Sequence, residues 1–176
     1  MPIIYFTKLK PEAKIPSKTR ENAGYDVYAL FDDPFRIIEP HETVMIPTGI
    51  ASIVDEQYYF QLFERGSTGT KGIGQRCGVI DSSYRGEWFI PITNHNNSPL
   101  VITKDGPNAK GLQQRLEYEW NSSWPEDVVI YYTYEKALTQ AVLLPVPFTE
   151  IRELSNEEYS KFGTNRGAGM LGSSGK

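Results

Sequence analysis

Prolines and glycines cut this chain into runs too short for most helices, and that limits its fold more than any other feature. Twelve prolines and fifteen glycines are spread over 176 residues. Between them lie runs rich in Tyr, Phe, Ile and Val, side chains that suit a pleated, half-buried surface. The predicted strands are Ile3–Leu9, Tyr25–Ala29, Phe35–Ile38, Thr43–Ile53, Tyr58–Glu64, Gly78–Asp81, Glu87–Asn94, Leu100–Thr103, Val128–Tyr134 and Ala141–Val146. EPHET, at 39–43, reads as a turn joining two of them. Short strands at this spacing imply an all-β sandwich or barrel, not βαβ units. Two short helices are predicted, at Thr68–Gly72 and Ser155–Phe162. In the second, Ser155 can cap the N-terminus and Glu158 completes a capping box.

Two stretches fit this pattern less well. Asp105–Asp127 is polar, carries Tyr118, Trp120 and Trp124, and has no clear period. It reads as a long loop, a hairpin or a small inserted element. The tail NRGAGMLGSSGK is glycine-rich, flexible alone and able to order over a bound partner. The length fits one domain over residues 1–176, with 105–127 as an insertion and 163–176 as a mobile tail.

Charge and cysteine content exclude several classes. The formal net charge is −4, so no polybasic surface marks a nucleic-acid binder. Cys77 is the only cysteine, so no internal disulfide forms and a reducing compartment is expected. No apolar run approaches a membrane span, and the prolines near the start interrupt any signal peptide. The expected location is the cytoplasm, or a host's cytoplasm for a viral protein.

Three motifs are decoys. Gly167, Gly169 and Gly172 spell G-x-G-x-x-G, but the chain ends too soon after them for the required helix. GSTGTKG at 66–72 resembles a P-loop, yet Lys71 stands one position short. His41 and His95, the only histidines, lack ligand spacing to Cys77 and read as loop or surface residues, so neither a zinc site nor a histidine triad is expected.

Four glycine-bearing segments remain: AGYD (23–26), ERGSTG (64–69), GVIDSSYRG (78–86) and RGAGMLGSSG (166–175). Glycine lets backbone N–H groups approach a ligand, and arginine suits bidentate phosphate contact. The implied chemistry is a polyphosphate held by Arg and N–H donors, with Asp as base or metal partner. Each segment alone is an ordinary turn of a β protein. Taken in order, they resemble the five-motif pattern of the trimeric dUTP diphosphatases (dUTPases). GVIDSSYRGE is the most specific match, and EKALTQAVLLPV (135–146) supplies a weaker fourth motif with Gln140.

The resemblance implies a distorted jelly-roll-like barrel (β-clip) and a homotrimer whose tail closes over a shared site. It implies hydrolysis of dUTP to dUMP and pyrophosphate. Asp81 would orient the attacking water, and Asp26 would hold Mg2+ through water. Arg65, Gly66, Ser67 and Arg166 would serve the phosphates, and Gln140 would be a further substrate-binding residue. Gln75, Gly78, Val79 and Ile80 would receive uracil in a hairpin over 75–81, with Tyr84 against the deoxyribose. Leu171, Gly172 and Ser173 would close over the substrate.

The pattern departs from the family at several places. Glu64 replaces the usual proline, Gly66 a phosphate-contacting serine and Gln75 a uracil-binding asparagine. Met170 and Leu171 replace a Gly-aromatic pair, and motif four lacks its glycine and arginine. Two other readings stay open. One is a nucleotide-binding regulator or partner-binding protein on the same fold, with a protein partner at 105–127. The other is the related dCTP deaminase, whose third motif carries Ala-His-Arg before Ile-Asp where this chain has Gln-Arg-Cys-Gly-Val.

Overall fold

The computed structural model describes residues 1–120 and 129–164. The chain divides into two compact units, Met1–Val146 and Pro147–Lys176. The first unit is all-β apart from short helices. Among the described residues its twelve strands are β1 (Ile4–Lys8), β2 (Gly24–Val27), β3 (Phe35–Ile38), β4 (Thr43–Pro47), β5 (Ile50–Val54), β6 (Tyr58–Phe63), β7 (Ile73–Gln75), β8 (Val79–Ile80), β9 (Phe89–Asn94), β10 (Leu100–Thr103), β11 (Ile130–Thr133) and β12 (Thr139–Pro145). They form four sheets, in the orders β1-β5, β11-β10-β3, β2-β12-β6-β8 and β4-β9-β7. Every pairing is antiparallel except β10 with β11. Among the described residues these sheets do not close into one continuous barrel.

The run predicted as one strand over Thr43–Ile53 is two, and the break has a local cause. Gly49 has φ +68, and a Cβ there would lie 2.4 Å from Leu30 Cδ2. Only glycine takes that conformation without strain. The bend sends β4 to β9 and β5 to β1. The short strand β7 was not expected; its Ile-Gly-Gln sequence lacks a β-branched run.

The first helix, α1 (Gly66–Gly69), begins two residues before its predicted start. Thr68 decides this: its buried hydroxyl accepts the Arg65 N–H at 3.0 Å, closing the first turn. The polar stretch from Asp105 contains a 3-10 turn at Gly106–Asn108 and a helix, α2 (Leu112–Trp120). Leu112 and Leu116, one helical turn apart, are buried with Val101, Ala109 and Val129. Two apolar anchors among polar neighbours leave little periodic signal. In the second unit α3 (Asn156–Ser160) carries the predicted capping box: Glu158 N–H donates to Ser155 Oγ at 3.3 Å, and Ser155 N–H donates to Glu158 Oε2 at 2.9 Å.

The main core lies between the sheets of the first unit. Trp88 is fully buried, with its ring edge-on to Phe60 at 5.0 Å and Phe6 at 5.5 Å between centroids. Burying such rings contributes about 1.5–3 kcal/mol each before ordering costs. Strand β10 is buried at every position, with Leu100 and Ile102 in the main core and Val101 under α2. A strand covered on both faces reads as an unbroken apolar run, as Leu-Val-Ile does.

Candidate active site

Two cavities gather most of the predicted site residues. The first is polar, about 550 Å³, and lies where β2, the start of α1 and β12 meet. Asp26, Arg65, Gly66, Ser67 and Gln140 line it, joined by Glu21 and Asn22. Arg65 follows β6 and caps α1, so its backbone is fixed by the first helical turn. Its Nε sits 3.0 Å from Asp26 Oδ1, while Nη1 donates to the Ala137 carbonyl at 3.0 Å and to Ser67 Oγ at 3.3 Å. Nη2 reaches Asp26 Oδ2 at 3.4 Å. A guanidinium has five N–H donors. Among the described residues one N–H on Nη2 is therefore left for an external anion. Gly66 has nothing within 4 Å of where a Cβ would stand, so its backbone is open to the cavity. Gln140 rests on Gly24 and donates from Nε2 to the Glu64 carbonyl at 2.8 Å.

The second cavity is a small slot of about 250 Å³. Gly78, Val79, Ile80, Asp81 and Tyr84 line it, with Met45, Phe89 and Pro91 as further apolar wall. Its size is below the range of about 300–1,000 Å³ usual for drug-sized ligands. It suits a ring and its sugar. Asp81 follows β8 directly, and its carbonyl accepts the Tyr84 N–H at 3.1 Å to close the SSY turn. Among the described residues no hydrogen-bond or ionic partner holds its carboxylate. Tyr84 donates from its hydroxyl to the Glu87 carbonyl at 2.9 Å. Its ring lies over Gly86, where a Cβ would come within 2.5 Å of the Tyr84 hydroxyl.

The turn feeding the slot depends on one glycine. Gly78 has φ +112, and its carbonyl accepts the Leu62 N–H at 2.9 Å. The hairpin expected over 75–81 is instead a crossover between sheets: β7 pairs with β9, while β8 pairs with β6. Cys77 and Gly78 both have positive φ where the chain passes from one sheet to the other.

Gln75 does not line the slot. Its Nε2 donates to the Arg76 carbonyl at 2.9 Å and the Pro91 carbonyl at 3.0 Å. Arg166, Leu171, Gly172 and Ser173, expected over the substrate, lie outside the described residues. The slot has lining residues that sequence reasoning missed: Met45, Glu87, Phe89 and Pro91. Met45 faces Pro91 through the β4–β9 register, which no local pattern reveals.

The cavities share no lining residue among those described. The polar cavity is lined from β2, β12 and the residues just after β6, whereas the slot is lined from β8 and from β4 and β9 of another sheet.

An arginine donor beside exposed glycine backbone, and an apolar slot edged by a carboxylate and a tyrosine, give this β protein one place for an anion and another for a flat ring. A family model described as dUTPase matches residues 11–113. The deoxyuridine 5'-triphosphate nucleotidohydrolase of Nautilia profundicola is 35% identical over 173 residues, spanning 96% of each chain. That of Leptospira interrogans (strain Fiocruz L1-130) is 31% identical over 125 residues, 69% of this chain and 83% of that protein. The chain belongs to the dUTPase family. Solved structures agree on the fold. The Staphylococcus bacteriophage 80alpha dUTPase with dUPNHPP superposes with a TM-score of 0.69 at 19% identity, covering 99% of each chain. The phage phi11 dUTPase of S. aureus, described with a structural Mg(II) ion, gives 0.63 at 20% identity, covering 88% of this chain and 97% of that one.

Proposed function

We propose that this protein hydrolyses dUTP to dUMP and pyrophosphate, with Asp81 as the base that orients the attacking water. The observation that carries this reading is the pairing of a base-sized slot edged by Asp81 and Tyr84 with a separate polar cavity built around Arg65. The curated relatives' names point the same way.

The slot takes the uracil and its sugar. Backbone groups of Gly78, Val79 and Ile80 read the base edge. A mismatched base leaves a buried polar group unpaired, at about 1–3 kcal/mol. The Tyr84 ring packs on the deoxyribose and leaves no room for a 2′-hydroxyl. Asp81 then stands beside the sugar end of the phosphate chain. It takes a hydrogen bond from water and aims it at the α-phosphorus, as a carboxylate can near neutral pH. Arg65 and Ser67, with the Gly66 backbone, hold phosphate oxygens and meet the charge that develops there.

The charge balance of the polar cavity favours a metal-bound substrate. Among the described residues its lining carries two carboxylates, Glu21 and Asp26, against the single guanidinium of Arg65. A bare triphosphate would meet net negative charge. Magnesium typically keeps several waters and needs only one or two carboxylates beside the phosphates. Asp26 fits that role through water, and no three-residue metal cluster occurs among the described residues. When bound, Mg2+ neutralises phosphate charge and fixes the chain's geometry.

Separation of the two cavities supports a site completed between copies. The Asp81 slot of one chain would face the Arg65 cavity of another, in a homotrimer, with residues 163–176 supplying Arg166 and the closing tail. The second reading, a regulator acting through 105–127, draws on α2 standing on its own small hydrophobic cluster.

One assay separates the readings: incubation with dUTP or dCTP and Mg2+, reading pyrophosphate and ammonia. Pyrophosphate from dUTP, lost in Asp81→Asn, is the expected result. Ammonia from dCTP would point to deaminase chemistry, and binding without turnover to a regulator. Full activity in Asp81→Asn would refute the assignment of the base.

A further inference from the structure

The residue before Arg65 is bound into the site in an unusual way. Glu64 Oε1 accepts the backbone N–H of Gln75 at 2.9 Å. That single bond joins the end of β6 to β7, two strands that belong to different sheets. It closes the loop from 64 to 75, which carries Arg65, Gly66 and Ser67 on α1. The Gln75 N–H points away from β9, since the next one, on Arg76, donates to Pro91 in that strand at 2.9 Å. The exposed edge of β7 would otherwise offer this donor to water.

The seat of the carboxylate is floored by glycine. A Cβ on Gly69 would stand 3.2 Å from Glu64 Oε2, and one on Gly74 would stand 3.6 Å from Oε1. The His95 ring crowds the same face of Gly74, with Nε2 2.3 Å from that Cβ position. The Glu64 backbone is held as well, its carbonyl accepting from Gln140. Both ends of this residue are therefore fixed, and Arg65 is the next residue along.

We propose that Glu64 is a positioning residue for the phosphate half of the site: by closing the 64–75 loop it sets where Arg65 and Ser67 meet the phosphate chain. The inference rests on the functional reading above. It assigns a purpose to the position where the family pattern has proline. Proline stiffens such a position by fixing φ; here a carboxylate does so by tying the loop shut.

The test compares Glu64→Ala, Glu64→Gln and Glu64→Asp in the full chain. Glu64→Ala is expected to raise KM for dUTP about tenfold, the scale of one lost charge-assisted hydrogen bond. The kcat should fall less than threefold, and inhibition by deoxyuridine, which fills only the slot, should not change. Glu64→Gln keeps an acceptor oxygen and restores KM to within about threefold. Glu64→Asp is one methylene short and behaves like Ala. Hydrogen exchange at the Gln75 amide reads the bond directly: fast in Ala and Asp, slow in wild type and Gln. That measurement stands even where wild type proves inactive on dUTP, which would sink the functional reading alone. Unchanged exchange in Glu64→Ala, an unchanged KM, or equal loss for dUTP and deoxyuridine would overturn the proposal. Should Ala fail to fold, the Gln and Asp pair decides the matter.

Discussion

Gly78→Ala is the sharpest single test of how the base slot is built. The backbone there has φ +112, and a Cβ would stand 2.8 Å from Leu62 Cβ and 3.2 Å from the Leu62 carbonyl. Neither neighbour can retreat. Leu62 is 2% exposed and lies in β6, with β12 and β8 paired on its two sides. A non-glycine residue at such a φ costs about 1–3 kcal/mol. Overpacking adds about 1–3 kcal/mol. The sum, about 2–6 kcal/mol, is a large share of the roughly 5–15 kcal/mol that holds a domain together. For a chain of this size it lowers Tm by roughly 4–24 °C. Gly111→Ala is the control: its φ is +82, but nothing lies within 4 Å of the new Cβ. It should lose only the conformational part, about 1–3 kcal/mol. Thermal melts at matched protomer concentration give both numbers. Deoxyuridine binding should weaken in Gly78→Ala alone. Equal melting losses in the two variants would refute the contact argument, and a wild-type melt for Gly78→Ala would refute the whole account.

Three further outcomes follow from the same geometry. Tyr84→Ala should raise turnover of UTP relative to dUTP, because the ring that crowds the 2′ position is gone; an unchanged ratio of kcat/KM values would remove Tyr84 from sugar selection. Deleting residues 166–176 should cut dUTP turnover sharply while the circular dichroism spectrum stays the same; equal turnover would dismiss the closing tail. The Ser155 backbone N–H, and then its hydroxyl, hold the Glu158 carboxyl below the usual glutamate range. A lowered folded value means that this support of α3 is present above the ordinary glutamate range and is lost as pH falls through the lowered one. An NMR titration should show Glu158 titrating low in wild type and moved only part of the way back toward the ordinary glutamate range in Ser155→Ala, which keeps the backbone N–H and loses the hydroxyl; a normal value in wild type would count against the capping box.

The strands were legible wherever turn residues framed an apolar run. Phe35–Ile38 and Leu100–Thr103 match their predicted bounds. The break inside Thr43–Ile53 was hidden because Gly49 acts through its contact with Leu30, far off in sequence. Thr68 moved the start of α1 through a hydrogen bond, not through propensity. The site was legible in part. Asp81 and Tyr84 share a slot, and Asp26, Arg65, Ser67 and Gln140 share a cavity. The opposite walls were not legible. Met45 and Pro91 meet only through strand register, and Gln75 turned its amide to the backbone.

The helix that follows the 3-10 turn at Gly106–Asn108 has an evolutionary implication. Phe35, Ile37 and Tyr131 pack against the small cluster that seats it. A descendant that simply lost this helix would be left with a bare greasy panel on its flank, prone to stick to its own kind. Shedding the helix therefore demands polar replacements at 35, 37 and 101 in the same lineage. Without them the shortened protein would pay in solubility for what it saved in length.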